Sequence, residues 1–331
     1  MNPLVTICLP STGRMRFLPL VIASITEQLY QNYEVLILDN ASPSETRQVF
    51  ERYATADIRV RVLCSETRLP MFANFNRGLR AAQGEFVTFF HDDDVYLPTF
   101  LVKMVGALRA YPSAAFAGSN YYRIDDAGMV LAASRSVVRG GLMNGRDFIR
   151  GLMRTGRNSL AAPGLMYRKA AFDERLFDES LPMHFGDFVI LMRMVEERDV
   201  AIVEDYLMLN RLHAESATNS LSVIETMRLR RDVLRAYCGE YATRYPDQRA
   251  FIGELETLMR LVERKGALWG CLGASDREEF GGALDDVDAA GGSNPQFDRL
   301  TRSVVATLFR SHRIRSRSRE VARAIGRRLD A

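Results

Sequence analysis

The sequence predicts a doubly wound α/β fold: a mostly parallel central sheet with helices on both faces, followed by a helical C-terminal region. Three observations carry this. Short apolar runs recur at residues 4–10, 33–39 and 85–90, of a length that suits strands buried on both faces. Stretches with helical spacing of apolar residues lie between them. After about residue 220 only the helical pattern continues. Strands alternating with helices in this way indicate parallel crossover connections.

Taken in order, "LVTICLP" (4–10) is the first strand, and "RFLPLVIASITEQL" (16–29) follows as a helix with Leu18, Ile22, Ile25 and Leu29 on one face and Pro19 in its first turn. "YEVLILD" (33–39) is the second strand. "SETRQVFERYA" (44–54) and "MFANFNRGLRAAQG" (71–84) read as helices, the latter closed by Gly84 as a C-cap. "EFVTFF" (85–90) is the next strand, and "SAAFAGSNYYRID" (113–125) another that turns through "DDAG" into a hairpin. "MYRKAAFDERLFDES" (166–180) reads as a polar turn region, before "HFGDFVILMRMVEERDVAIVEDYLMLNRLHAES" (184–216). Domain boundaries are expected at 1–220 for an α/β domain, 221–271 for a helical extension, 272–296 for a Gly, Asp and Ala-rich linker, and 297–331 for a basic amphipathic tail.

With 331 residues and 47% hydrophobic composition the chain can fill a real core. No run approaches the roughly 18 to 20 apolar residues of a spanning helix, and the N-terminus enters a strand pattern at once, so a cytoplasmic protein is expected. The four cysteines form no CxxC pair, which suggests neither a zinc site nor a disulfide framework. The net charge of +3 conceals an asymmetry. From Arg310 onward eight arginines face only Glu320 and Asp330, so the remainder is net acidic. The tail, with Ile314, Val321, Ile325 and Leu329 among arginines, suits an anionic membrane surface, a protein partner or simple solvation. Nucleic acid is not expected as a partner, because no recognisable nucleic-acid module is present.

The chemistry concentrates in "FVTFFHDDDVYLP" (86–98). Three adjacent aspartates after an apolar strand repel one another unless a cation or solvent absorbs the charge. Hard divalent cations such as Mg2+ and Mn2+ prefer carboxylate oxygens together with substrate phosphates. A solvated acidic turn, or an Asp cap for the following helix, is the structural alternative. Asp39 ends another strand, and ligands of such sheets gather outside the carboxyl ends of the strands.

The ordered motifs "VTICLPSTGR", "YEVLILDNASPSET", "NFNRGLRAAQGEFVTFFHDDDVYLP", "HFGDFVILMR" and "LNRLHAESAT" resemble the family-2 glycosyltransferases of GT-A fold over residues 3–220. The resemblance implies a nucleotide-diphosphate sugar donor, a divalent metal (Mg2+ or Mn2+) and inverting transfer to the hydroxyl of a glycan or lipid-linked acceptor, in bacterial surface glycan synthesis at the inner membrane face. It assigns Pro10, Ser11, Thr12 and Arg14 to the loop lining the nucleotide and Asp39 to the base. Asn74 and Arg77 either help hold the donor or belong to a solvated helix face. In the metal motif Asp93 becomes the direct ligand, Asp92 faces the ribose or metal shell, Asp94 has no fixed role, and His91 replaces the first acid and reads as a strand-end residue. His213 approaches the metal or diphosphate, with Arg211 nearby in sequence. Asp187 becomes the general base, with Gly186 where the family usually has Glu. Alternatively Asp187 caps a helix starting at Phe188, whose N-terminus would keep it ionised and weaken it as a base.

Two rival readings follow from the residues. A non-catalytic nucleotide-sugar-binding or scaffold protein would keep the same pocket, and the His91 and Gly186 departures favour it. A nucleotidyltransferase would need a glycine and lysine-rich phosphate loop, and "PSTGRMR" has one glycine.

Overall fold

The structure is a computed structural model that describes residues 2–134, 139–155, 158, 160–172, 176–213 and 223–273. The chain divides into two compact units, residues 1–152 with 157–216, and residues 153–156 with 217–331.

The first unit begins with β1 (Val5–Ser11), α1 (Leu18–Thr26), β2 (Tyr33–Asn40), α2 (Ser44–Ala56), β3 (Val60–Ser65), α3 (Met71–Ala81) and β4 (Phe86–Phe89). It continues with β5 (Val95–Tyr96), α4 (Phe100–Ala110), β6 (Ala114–Ile124), β7 (Val130–Ser134), β8 (Gly141–Met143), α5 (Gly145–Thr155, whose last three residues fall in the second unit), β9 (Leu165–Arg168), α6 (Gly186–Met194) and β10 (Asp199–Arg211). The sheet order is β3-β2-β1-β4-β9-β6-β10-β5, with β7 hydrogen-bonded to β6 and β8 to β10. β3, β2, β1 and β4 run parallel, β9 is antiparallel to both β4 and β6, and β10 runs parallel to β6. The carboxyl ends of β1, β2, β4, β6 and β10 therefore lie along one edge of the sheet, and this edge positions the site.

The core explains the apolar runs. Every residue of β2 is buried, and Val5, Ile7, Leu9, Val35, Ile37, Phe86, Phe90, Met166 and Met208 share one cluster with Leu18, Val21 and Ile25 of α1. Pro19 falls in the first turn of α1, where its missing N–H costs nothing. The hairpin from β6 to β7 turns at Gly128, whose φ of +91° favours glycine.

Three elements depart from the sequence expectation. β3 is mostly half-exposed, with only Val60 buried, because it lies at the edge of the sheet, and Arg61 interrupts its apolar residues. β9 occupies part of the expected polar turn region as a four-residue strand between β4 and β6. Helix α3 ends at a C-cap on Ala82 rather than Gly84. Gly84 serves another purpose: a Cβ there would lie 2.6 Å from the Thr6 backbone nitrogen and 2.8 Å from the Leu4 carbonyl oxygen, so only glycine permits this backbone approach.

The second unit contains α7 (Val223–Arg244) and α8 (Arg249–Gly273). Tyr241 of α7 packs edge-on against Phe251 of α8, and Arg235 pairs with Glu263 at 2.5 Å. The expected linker beyond Gly273 and the basic tail lie outside the described residues. No helix among the described residues is long and apolar enough to cross a membrane.

Candidate functional site at the carboxyl edge of the sheet

The three aspartates leave β4 at the carboxyl edge, and each is held by a different set of donors. Asp92 is 5% exposed; one oxygen accepts the Ser11 hydroxyl at 2.8 Å and the other lies 3.3 Å from Arg14 Nη1. Asp93 Oδ2 accepts Arg14 Nη1 at 2.6 Å and lies 3.0 Å from His213 Nε2. Asp94 is 1% exposed and accepts the Arg211 backbone N–H at 2.8 Å and the Asn210 amide at 3.1 Å. The run is thus neither a solvated turn nor a helix cap, since Thr99 takes the N-cap position of α4.

Arg211 closes the same web from β10. Its Nε donates to the Asp93 carbonyl at 2.9 Å and its Nη1 to the Asp125 carbonyl at 2.9 Å, while the guanidinium lies over the Phe17 ring at 4.6 Å. His213 packs against that same Phe17 ring at 5.6 Å between centroids. Loops after β1, β4, β6 and β10, distant in sequence, meet here because their strands end together.

Burial and charge oppose each other along the run. Burial raises the Asp92 carboxyl, with Arg14 pulling the other way. Asp94 is pushed well above the ordinary carboxylate range by burial and by the Asp93 charge, against its backbone bond from Arg211. At Asp93 burial also disfavours the charge, but His91, the His213 hydrogen bond and Arg14 outweigh it and hold the group below its usual value. Burial lowers the His91 imidazole despite the neighbouring Asp93 and Asp92. One ligand atom from each of His91, Asp93 and Asp94 lies within 4.8 Å of the others. Two carboxylates and an imidazole at that separation fit a divalent cation. His91 and Asp94 were not assigned as ligands from the sequence; the geometry draws them together with Asp93.

Asp39 is the penultimate residue of β2 and is fully buried. Its Oδ1 accepts the Ser42 N–H at 3.0 Å, after a left-handed turn at Ala41 (φ +55°), and its Oδ2 lies 2.9 Å from Arg47 Nε. Asn74 and Arg77 do not form a solvated helix face. Asn74 is 3% exposed, and Arg77 Nη2 donates to the Asp39 carbonyl at 2.9 Å and to Asn74 Oδ1 at 2.7 Å. Both side chains tie α3 to the end of β2. Pro10 and Ser11 are the last residues of β1, and Thr12 opens the loop that carries Arg14.

Asp187 stands apart from this web: no hydrogen bond or ion pair among the described residues joins it to the aspartate run. It lies in the first turn of α6, which starts at Gly186 with Phe185 as N-cap, so it is not the cap residue. Its Oδ1 is buried and meets no hydrogen-bond donor among the described residues. Burial pushes the Asp187 carboxyl up to about 7, against the backbone N–H groups of Phe188 and of Asp187 itself. Desolvation therefore overcomes the helix N-terminus, contrary to the expectation of a firmly ionised group. Tyr167 is raised by its own burial and by the nearby Asp187 charge.

Gly186 has a steric cause. A Cβ at this position would lie 2.1 Å from the Phe72 ring, which stacks on Phe177 with centroids 5.3 Å apart. An acidic side chain cannot occupy 186 while Phe72 fills that space. Gly186→Ala is expected to destabilise the fold by about 1–3 kcal/mol through overpacking, with partial recovery in the Gly186→Ala/Phe72→Ala double variant, read from denaturant midpoints.

Parts of the chain resemble known proteins in sequence, and its fold resembles solved structures. A segment of 123 residues is 30% identical to the "Putative colanic acid biosynthesis glycosyl transferase WcaA" of Escherichia coli K12, covering 37% of this chain and 43% of that one. Another of 126 residues is 25% identical to "Glycosyltransferase GlyG" of Streptococcus pneumoniae serotype 4, covering 38% and 42% respectively. The matched segments thus span about two fifths of the length of these curated relatives. Among solved structures, S. aureus TarS 1–349 in complex with UDP-GlcNAc superposes with a TM-score of 0.64 at 17% identity, over 98% of this chain and 88% of that one. The mannosyltransferase PcManGT from Pyrobaculum calidifontis in complex with GDP-Man and Mn2+ gives 0.56 at 17% identity, over 98% and 87%. These structural likenesses show the GT-A fold. Residues 6–176, more than half of the chain, match the sequence pattern described as Glycosyl transferase family 2, and the chain belongs to that family.

Proposed function

We propose that this protein is a metal-dependent, inverting glycosyltransferase that moves a sugar from a nucleotide-diphosphate donor to an acceptor hydroxyl. The observation that carries the reading is the pairing of two features in one unit: a carboxylate run at the strand ends of the sheet, and a separate carboxyl in the first turn of α6, with one oxygen buried, whose affinity for protons is raised toward neutrality. A glycan or lipid-linked acceptor in bacterial surface polysaccharide synthesis is the substrate class favoured by the relatives, which include a colanic acid and a teichuronic acid biosynthesis protein.

Asp93 and Asp94, with His91, would hold a divalent cation, whose chemistry when bound is to neutralise charge on the departing nucleotide diphosphate. Two carboxylates with an imidazole favour Mn2+ over Mg2+, which keeps more strictly to oxygen. His213 steadies Asp93, and Ser11 orients Asp92. Arg14 and Thr12 face the donor from the loop after β1. Asp39 and Arg77 hold the end of β2 for the base, and the Asp39 carboxylate is paired with Arg47, whose side chain is 36% exposed.

Ionised Asp187 takes the proton of the acceptor hydroxyl as that oxygen bonds to the anomeric carbon. The bond from that carbon to the diphosphate oxygen breaks, and its electron pair leaves with the nucleotide diphosphate. Attack from the face opposite the leaving group inverts the anomeric centre. An ionised base in an apolar setting is a strong one, because its own protonation relieves the desolvation.

The test is a thermal-shift screen of nucleoside diphosphates and their sugars with and without Mn2+, followed by a transfer assay with the donor that stabilises the fold. The expected result is a shift that depends on Mn2+ and turnover of the same donor. A Mn2+-dependent shift with neither donor hydrolysis nor transfer to any acceptor of a surface-glycan panel would favour the binding or scaffold reading.

A further inference from the structure

Two arginines sit against the aspartate run, and they are held in different ways. Arg211 is 6% exposed, donates through its Nε and Nη1 to three backbone carbonyls and lies over Phe17, so it belongs to the framework. Arg14 is 30% exposed at its side chain and reaches Asp92 and Asp93 through a single nitrogen, Nη1. That end-on contact lacks the paired, parallel hydrogen bonds of an arginine fork, which makes it the easier of the two to release.

Arg14 also occupies a contested carboxylate. Asp93 Oδ2 receives Nη1 at 2.6 Å and His213 Nε2 at 3.0 Å, and Asp93 belongs with His91 and Asp94 to the set that fits a divalent cation. A guanidinium and a metal ion at one carboxylate repel each other, so both cannot be held at full strength. The backbone on either side of Arg14 is fixed. The Gly13 N–H donates to Ser11 Oγ at 3.1 Å, and Phe17, three residues on, is buried beneath Arg211 and His213. Any exchange is therefore made by the long side chain and not by the loop.

Resting on the metal-dependent reading above, we propose that Arg14 is an exchangeable internal cation: it neutralises Asp92 and Asp93 when no metal is bound, and yields Asp93 to the metal and turns to the donor diphosphate as the two arrive. Arg14 is thus a positioning residue that links metal entry to donor binding. It keeps the acidic run balanced in the resting protein, and it supplies a freed positive group at the moment a diphosphate enters.

The two roles have opposite signs, which separates them from a merely structural one. Titration calorimetry of Mn2+ alone into the 331-residue chain, and of UDP and GDP at saturating Mn2+, is the test. Arg14→Met is expected to bind Mn2+ about tenfold more tightly than wild type and the nucleoside diphosphate about tenfold more weakly. Arg14→Lys, which keeps the charge, should fall between the two on both measures. Mn2+ affinity that is unchanged or weaker in Arg14→Met, with wild type binding the ion, overturns the exchange while leaving the metal reading intact. Failure of both proteins to bind Mn2+, with or without nucleotide, overturns both.

Discussion

Asp187→Asn is expected to lower sugar transfer by a factor of about 10²–10⁴, the usual contribution of a positioned general base, while nucleotide binding stays within about twofold. The variant removes the proton acceptor, and Asp187 has no hydrogen bond or ion pair to the aspartate run among the described residues. The pH dependence has a definite sign. Burial lifts this carboxyl from 3.8 to about 7, and a base works only when ionised, so transfer in the wild type should rise with pH and level off above about 7. The folded state holds this proton over a range where the unfolded chain has lost it. Asp187 therefore draws stability away as pH climbs from about 4 to about 7, with no penalty below that window and a constant one above it. Asp187→Asn escapes the penalty and should be at least as stable as wild type at pH 8. A pH–rate profile together with denaturant midpoints at pH 5 and pH 8 checks both. Full transfer by the variant would show that another group takes the proton.

Asp93→Asn is expected to abolish metal-dependent donor turnover, a loss of three orders of magnitude or more on the scale of catalytic electrostatic terms that act together. Mn2+ binding should fall in parallel. The fold should persist, because an amide oxygen can still accept a hydrogen bond from Arg14 and Asp93 contributes nothing to the apolar core. Calorimetry with Mn2+, transfer rates and circular dichroism measured on one preparation separate loss of the site from loss of the fold. Undiminished transfer would remove Asp93 from the metal assignment.

Much of the first unit was legible because buried parallel strands leave continuous apolar runs, as in "VTICLPS" and "YEVLILDN", and the helices between them carry periodic apolar faces. β3 escaped notice because it is half exposed and carries Arg61. β9 escaped because four residues inside a polar stretch give periodicity nothing to act on. The role of Gly84 was misread for a related reason: a glycine after a helix suggests a cap, whereas the actual demand comes from Leu4 and Thr6, some eighty positions earlier.

At the site, the aspartate run announced itself through its own repulsion, and the ordered motifs brought in Arg14, Asp39, Asp187 and His213. What holds the run was not legible. The Arg211 backbone N–H and the Asn210 amide on Asp94 come from a strand end more than a hundred residues away. The raised proton affinity of Asp187 was not legible, because a helix N-terminus is visible in sequence while the burial that outweighs it is not. Gly186 is intelligible only beside Phe72, which takes the volume an acidic side chain would need. Asn74 and Arg77 stayed between a donor contact and a solvated helix face because a one-dimensional pattern does not show that the end of β2 lies against them.

The most direct measurement is an anomalous-difference map at the manganese edge, from a crystal equilibrated with Mn2+ and a nucleotide-diphosphate sugar that stabilises the protein. A peak contacted by Asp93, with Asp94 or His91 completing the protein ligands and the diphosphate on its open side, is the predicted result. Donor bound at the carboxyl edge with no manganese peak there, and Arg14 still on Asp92 and Asp93, would contradict it.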